Sequence, residues 1–220
     1  MARCHECAVR PVTVVKYLSP PHLEEFAAHL VVRFYAPGEE IFSPERKSQR
    51  VAIVRQGWVK IFSLGESGKE QILELVGPGG FLGEEAVLPH ASGAFTFASA
   101  LTPVEICEMP AKLFRRLLGD FPLLAQAFEE CLIKRLHWAR ELASLLALEP
   151  ACKRLERLLV HLMAEKDFPL SPSVSLLASL AGLTPETVSR CLSRWRREGV
   201  IKRQGRRIIF CYTRTQEKDS

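Results

Sequence analysis

Three observations predict an α+β chain: an N-terminal antiparallel β-roll, a long helix, and a C-terminal winged helix-turn-helix. Short β-rich runs broken by glycine fill the chain as far as Pro110. From Phe121 to Leu148 there follows a stretch with no glycine and a single proline, at its start. The basic charge is confined to the last third: residues 151–220 carry 14 Lys and Arg against 7 Asp and Glu, whereas residues 1–150 carry 16 against 18. A net charge of +5 hides that division. A basic segment on a near-neutral body points to an anionic partner, and a phosphate backbone is the commonest one.

Composition excludes several classes. At 47% hydrophobic residues the 220-residue chain can bury a core. No apolar run approaches the ~20 residues that span a bilayer. "MARCHECAVR" lacks the apolar stretch of a leader, so a cytoplasmic protein with no membrane partner is expected. Seven irregularly spaced cysteines make no disulfide framework and read as thiols, metal ligands or buried small residues.

Taken in order, residues 1–18 form a tail that holds the C-x-x-C of Cys4 and Cys7. Residues 19–118 form the roll: "VAIVRQGWVKIFSL" carries two strands around Gln56-Gly57, and "GKEQILELVGPGGFLGEE" adds another before a Gly/Pro corner. Residues 119–148 are the long helix. Its stripe of Leu124, Ala127, Cys131, Leu142 and Leu145–Leu146 exceeds what one sandwich edge covers, so the helix is expected to pair with its copy in a homodimer. Residues 149–220 hold a helix ("ACKRLERLLVHLMAEK"), a short helix around "SLLASL", a turn at Gly182, a second helix, and a hairpin in "GVIKRQGRRIIFCY".

That second helix, in "GLTPETVSRCLSRWRREGV", has two faces. Thr184 caps it and Pro185 takes the first helical position. Val188, Leu192 and Trp195 make an apolar face. Glu186, Ser189, Arg190, Ser193 and Arg197 make a polar one that offers an acceptor, hydroxyls and guanidinium forks. Beside a helix-turn-helix and a basic wing, this face fits a DNA major groove. Glu186, Ser189 and Arg190 are then the base-reading set. Thr184, Ser193, Arg194, Arg197, Lys202, Arg203, Arg206 and Arg207 suit the phosphate backbone. Dimer symmetry predicts two half-sites about one helical turn apart on double-stranded DNA.

With these residues in place, the chain resembles the CRP/FNR family of transcription regulators over nearly its whole length. "PGEEIF", "VRQGWVKIF", "GPGGFLGEE", the long helix and "LTPETVSR" carry the resemblance together. It implies a homodimer with a sensor roll and a winged helix-turn-helix, acting with RNA polymerase. The E-x-x-S-R pattern of Glu186, Ser189 and Arg190 is similar to the FNR branch, which reads TTGAT-type half-sites. The cyclic-AMP branch has an arginine before that glutamate, and here the residue is Pro185.

The resemblance also frames the signal. Relatives that bind cyclic AMP use a Gly-Glu pair for the ribose and an arginine further along for the phosphate. Gly83 and Glu84 are present, yet no Lys or Arg occurs between Lys69 and Lys112. A buried phosphate without a cation is costly. Cyclic AMP is therefore not expected, and the pair reads as a turn of the roll.

Oxygen-sensing relatives hold an iron–sulfur cluster with a C-x-x-C-x5-C run and one distant cysteine. Cys4, Cys7 and Cys107 match three ligands, but the third N-terminal position is Thr13. Three readings stay open: a cluster on Cys4, Cys7 and Cys107 with another fourth ligand such as His5, a disulfide of Cys4 and Cys7, or a degenerate site in which the regulator needs no effector. Cys131, Cys152, Cys191 and Cys211 read as structural. The six histidines single out no haem ligand. A cupin-like β-roll metal enzyme is the rival class, but His90 is the one histidine between Ala36 and Met109, so no catalytic ligand set is present and no enzyme is expected.

Overall fold

Residues 51–54, Val-Ala-Ile-Val, show why the N-terminal half folds as it does. They lie in a strand buried on both faces, so side chains alternate between two cores instead of between core and water. Ala52 and Val54 enter the core between two sheets, with Val59, Ile61, Leu82 and Ile106. Val51 and Ile53 enter a second core under the helices, with Leu23, Phe26, Phe114, Leu117 and Leu124.

The computed structural model of the chain describes residues 4–44, 49–87, 96–164, 172–204 and 207–210. It divides into two compact units, Met1–Leu142 and Ala143–Ser220. In the first unit, strands β1 (Val31–Tyr35), β2 (Glu40–Phe42), β3 (Arg50–Gln56), β4 (Val59–Leu64), β5 (Glu70–Val76), β6 (Phe81–Leu82), β7 (Phe97–Ala100) and β8 (Val104–Pro110) form two antiparallel sheets. Their orders are β1-β8-β3-β6 and β2-β7-β4-β5. This is the expected roll. Gly83 follows β6 at φ +81°, and a Cβ there would lie 2.4 Å from the Arg50 carbonyl oxygen. Only glycine fits that turn.

Helices α1 (Pro20–Ala28), α2 (Ala111–Asp120) and α3 (Pro122–Leu148) complete the sequence of elements in this half. α2 has no separate place in the sequence reading, which ran the roll to residue 118. Phe81, Phe114 and Phe128 meet with ring centroids 5.0–5.3 Å apart, which ties β6, α2 and α3 into one aromatic cluster. α3 crosses from the first unit into the second at Leu142.

The second unit holds α4 (Ala151–Ala164), α5 (Val174–Ala181), α6 (Pro185–Arg197) and the antiparallel pair β9 (Ile201–Gln204) and β10 (Arg207–Phe210). Leu155, Leu158 and Leu159 of α4, Leu177 and Leu180 of α5, and Val188 and Trp195 of α6 are all buried. Among the described residues no helix is long and apolar enough to cross a membrane.

Candidate nucleic-acid interface

The helix-turn-helix is built by capping. Ser173 accepts a hydrogen bond from the Leu176 amide and starts α5. Gly182, in the left-handed region at φ +63°, ends it, and the Leu183 amide returns to the Ala178 carbonyl at 2.9 Å. Two residues later Thr184 caps α6 by accepting from the Thr187 amide at 3.3 Å, and Pro185 opens the helix. The caps fix the angle between α5 and α6.

α6 then sorts its residues by face; the spacing predicts Val188, Leu192 and Trp195 inside, and Cys191 joins that face while Leu192 is only half-buried. Val188, Cys191 and Trp195 are buried, while Glu186, Ser189, Arg190, Ser193, Arg194 and Arg197 are exposed. The Glu186 carboxyl is held below the usual carboxylate range by the backbone amide at the helix start and by the Thr184 hydroxyl, with Arg190 adding to the effect. It is thus an ionised acceptor. Arg190 is steadied by donating from Nη2 to the Thr187 hydroxyl at 3.1 Å. Arg194 spends its Nε on Glu198 at 2.8 Å, whereas Lys202 on β9 is exposed. Arg203 and Arg207 lie across β9 and β10, in register with Ile208 and Gln204. Their side chains, Arg206, Cys211, His90 and the side chain of His5 lie outside the described residues.

One covalent feature departs from the sequence reading. Cys152 of α4 and Cys191 of α6 are joined in a disulfide, with Cα atoms 5.5 Å apart. Thirty-nine residues separate them in sequence, so spacing alone gave no sign that the turn of the helix-turn-helix brings them together. Cys4, Cys7, Cys107 and Cys131 are free thiols.

The structure brings Cys4, Cys7 and Cys107 into one electrostatic neighbourhood with Arg55. Burial pushes the Cys107 thiol up to about 11, and nearby Cys4 and Cys7 push it the same way while Arg55 pulls it down. Arg55 is itself bound to Glu105 at 2.6 Å. Thr13 does not complete a ligand set. It is buried, donates to the Arg10 carbonyl and accepts from the Val15 amide, both at 3.2 Å. Among the described residues no group of three or more His, Cys, Asp or Glu is placed to hold a metal ion. Thr13 leaves the usual four-thiolate set one ligand short, and the side chain of His5, the other candidate, lies outside the described residues.

The Gly83-Glu84 pair of the roll faces the long helix. Glu84 lies 2.7 Å from the Arg135 guanidinium of α3, and Glu74 of β5 shares that guanidinium, also at 2.7 Å. Arg135 also donates to the Phe81 carbonyl at 3.2 Å, and Trp138 donates to the Leu73 carbonyl at 3.0 Å. Glu84 is here part of a helix-to-sheet clamp. Of the segment where a phosphate partner would sit, residues 88–95 lie outside the described residues, and they include no lysine or arginine.

α3 has a second, unclaimed face. Leu124, Ala127 and Phe128 are buried, and Cys131 packs against the same helix-side core. Leu132, Ile133 and Leu136 are 36%, 54% and 48% exposed. The part of the expected pairing stripe that includes Leu124 and Cys131 is therefore spent within the unit. The exposed apolar face of Leu132, Ile133 and Leu136 lies on the other side of the helix. Arg135 and Arg55 went unnoticed in the sequence. The signal for Arg135 is a charged residue on the apolar stripe, four positions after Cys131 and eleven after Leu124; nothing local singles out Arg55.

Residues 32–121 match the family model for a cyclic nucleotide-binding domain, and residues 153–213 match that for a Crp-like helix-turn-helix domain. The chain is 32% identical to the nitrogen fixation regulation protein FixK of Bradyrhizobium diazoefficiens, over 90% of this chain and 85% of that one. It is 30% identical to the cyclic AMP receptor protein of Thermus thermophilus, over 84% and 86%. Among solved structures, the c-di-GMP responsive global regulator CLP of Xanthomonas campestris superposes with a TM-score of 0.77 at 25% identity, covering 89% of this chain and 100% of that one.

Proposed function

The chain belongs to the CRP/FNR family of DNA-binding transcription regulators, and from that premise we propose that it reads a TTGAT-like palindrome as a homodimer, without catalysing a reaction. The observation that carries this reading is the exposed polar face of α6, where Glu186, Ser189 and Arg190 stand together behind a cap and ahead of a basic wing. An ionised Glu186 accepts from the cytosine amino group, and Arg190 donates two bonds to guanine of the same base pair. Ser189 contacts a neighbouring base. Thr184, Ser193, Arg194, Arg197, Lys202, Arg203, Arg206 and Arg207 hold phosphates and set the register. RNA polymerase is the partner through which such a site acts, and the cytoplasm is where it meets DNA.

The boundaries that suit this reading are a tail at 1–18, a roll at 19–118, a pairing helix at 119–148 and a DNA-binding domain at 149–220. Leu132, Ile133 and Leu136 favour pairing along α3. A signal in the roll travels along α3, which spans both units.

The signal itself is neither cyclic AMP nor a four-thiolate cluster. Glu84 is engaged by Arg135, and Thr13 is engaged by backbone. Cys4 and Cys7, free thiols that are only half-buried whereas Cys107 is buried, are the pair through which an oxidant would act on the roll.

Fluorescence anisotropy with a TTGAT palindrome and a scrambled duplex tests the reading. Tight binding to the first alone, weakening steeply as salt rises, is expected. Equal binding to both would overturn the base-reading assignment. Anaerobic purification with iron and sulfide assays tests the sensor: a protein low in both that still binds DNA is expected, and stoichiometric iron and sulfide would restore the cluster.

A further inference from the structure

We infer that Cys152 and Cys191 form a reversible dithiol–disulfide site that pins the DNA-reading helix α6 to α4. The consequence for DNA rests on the reading of α6 given above. Cys191 lies on the buried face of α6 with Val188 and Trp195, and only 2% of it is exposed. Its neighbour Arg190 points into solvent. Cys152, the second residue of α4, is partly exposed. Cys152 is therefore the more accessible partner, and exchange with small thiols and disulfides begins there.

Oxidation runs as follows, with a low-molecular-weight disulfide as the oxidant. The Cys152 thiolate attacks one of its sulfurs, which breaks that S–S bond and expels one thiolate. The Cys191 thiol loses its proton and attacks the Cys152 sulfur, which expels the second. Two electrons pass from the cysteine pair to the small disulfide, and two protons end on the two thiols released. A small thiol in excess reverses each step through the same accessible sulfur.

The bond is suited to switching because the unit has a core of its own. Leu155, Leu158 and Leu159 of α4 are as buried as Val188 and Leu177, so the domain does not depend on a staple. Two thiols, however, cannot approach as closely as two bonded sulfurs. With Cys191 packed beside Val188 and Trp195, the sulfurs part on reduction within that core and loosen α6 against α4, and Arg190 moves with it. The oxidised form holds the reading helix in place before DNA arrives, and so binds more tightly.

The test equilibrates the full chain across ratios of glutathione to glutathione disulfide, traps free thiols with an alkylating reagent, and quantifies the Cys152–Cys191 peptide by mass. Anisotropy with the TTGAT palindrome is read at each ratio. The expected result is a pair that opens and closes with the ratio, with operator affinity higher by about fivefold or more in the closed form. Cys152→Ser, at a partly exposed position, should abolish the ratio dependence while the chain still binds DNA; Cys191→Ala should do the same. A pair that never changes with the ratio overturns the site. A pair that changes while affinity stays constant, or a ratio dependence that survives in Cys152→Ser, overturns the coupling. If the pair opens and closes but no form prefers the palindrome, the base-reading assignment fails and the redox site stands.

Discussion

Arg135 of α3 holds Glu84 and Glu74 with one guanidinium, each carboxylate 2.7 Å away and each side chain about a fifth exposed. Glu84 stands in the Gly-Glu pair of the roll and Glu74 on the other sheet, so a single side chain ties the long helix to both. Burial pushes both carboxyls above the usual range, and Arg135 counters that push without cancelling it.

Arg135→Met should therefore leave two partly buried carboxylates without their cation. A cost of about 2–3 kcal/mol is expected, less than for a fully buried pair because water still reaches all three groups. The sign of its pH dependence follows from linkage. A carboxyl raised in the folded state binds its proton more tightly there than in the unfolded chain. Its contribution is thus most favourable below the unfolded value and declines as pH rises through the folded one. In the variant both carboxyls rise further, so the cost of the substitution should shrink as pH falls from neutral into the carboxylate range. Urea unfolding of both proteins at neutral and mildly acid pH measures it; a cost independent of pH would mean that Arg135 acts through packing.

Gly83→Ala separates a structural turn from a ligand site. Its φ of +81° and the 2.4 Å approach to the Arg50 carbonyl predict a loss of more than about 1 kcal/mol. Excess cyclic AMP should shift the melting temperature of the unaltered protein by nothing measurable. A large upward shift would return Glu84 to a ribose.

Arg190→Ala and Arg197→Ala should differ in kind. Loss of Arg190 is expected to cost about 1–3 kcal/mol on the palindrome and to relax discrimination at one base pair. Loss of Arg197 should weaken all duplexes alike and reduce the salt slope by about 1. Anisotropy across single-base variants of the site distinguishes them. Unchanged specificity in Arg190→Ala would remove it from the reading set.

The exposed face of α3 gives a prediction about assembly. Ile133→Glu combined with Leu136→Glu places like charges on a face that is already in water in the single chain. Folding should be little affected, while sedimentation should show a monomer with weaker operator binding. A dimer that persists would move the pairing surface away from Leu132, Ile133 and Leu136.

Much of the molecule is local, and the sequence by itself determined it. The two strands around Gln56-Gly57, the glycine corners of the roll, the Thr184-Pro185 start of α6 and the division of that helix into two faces all follow from propensity, turn chemistry and capping. These act between residues a few positions apart, so they are written in the string. What only the tertiary structure decided are meetings between distant residues. The apolar spacing of α3 reads as a pairing seam, but the roll it lies against takes part of that stripe: Leu124 and Cys131 turn inward beside Phe81. Cys152 and Cys191 are 39 positions apart, and Arg135 is 61 and 51 positions from its two carboxylates. A charge in an apolar stripe and a cysteine on a buried face carry no local mark of their partners. Their roles come from burial, which makes each such group costly until the fold supplies the one it needs.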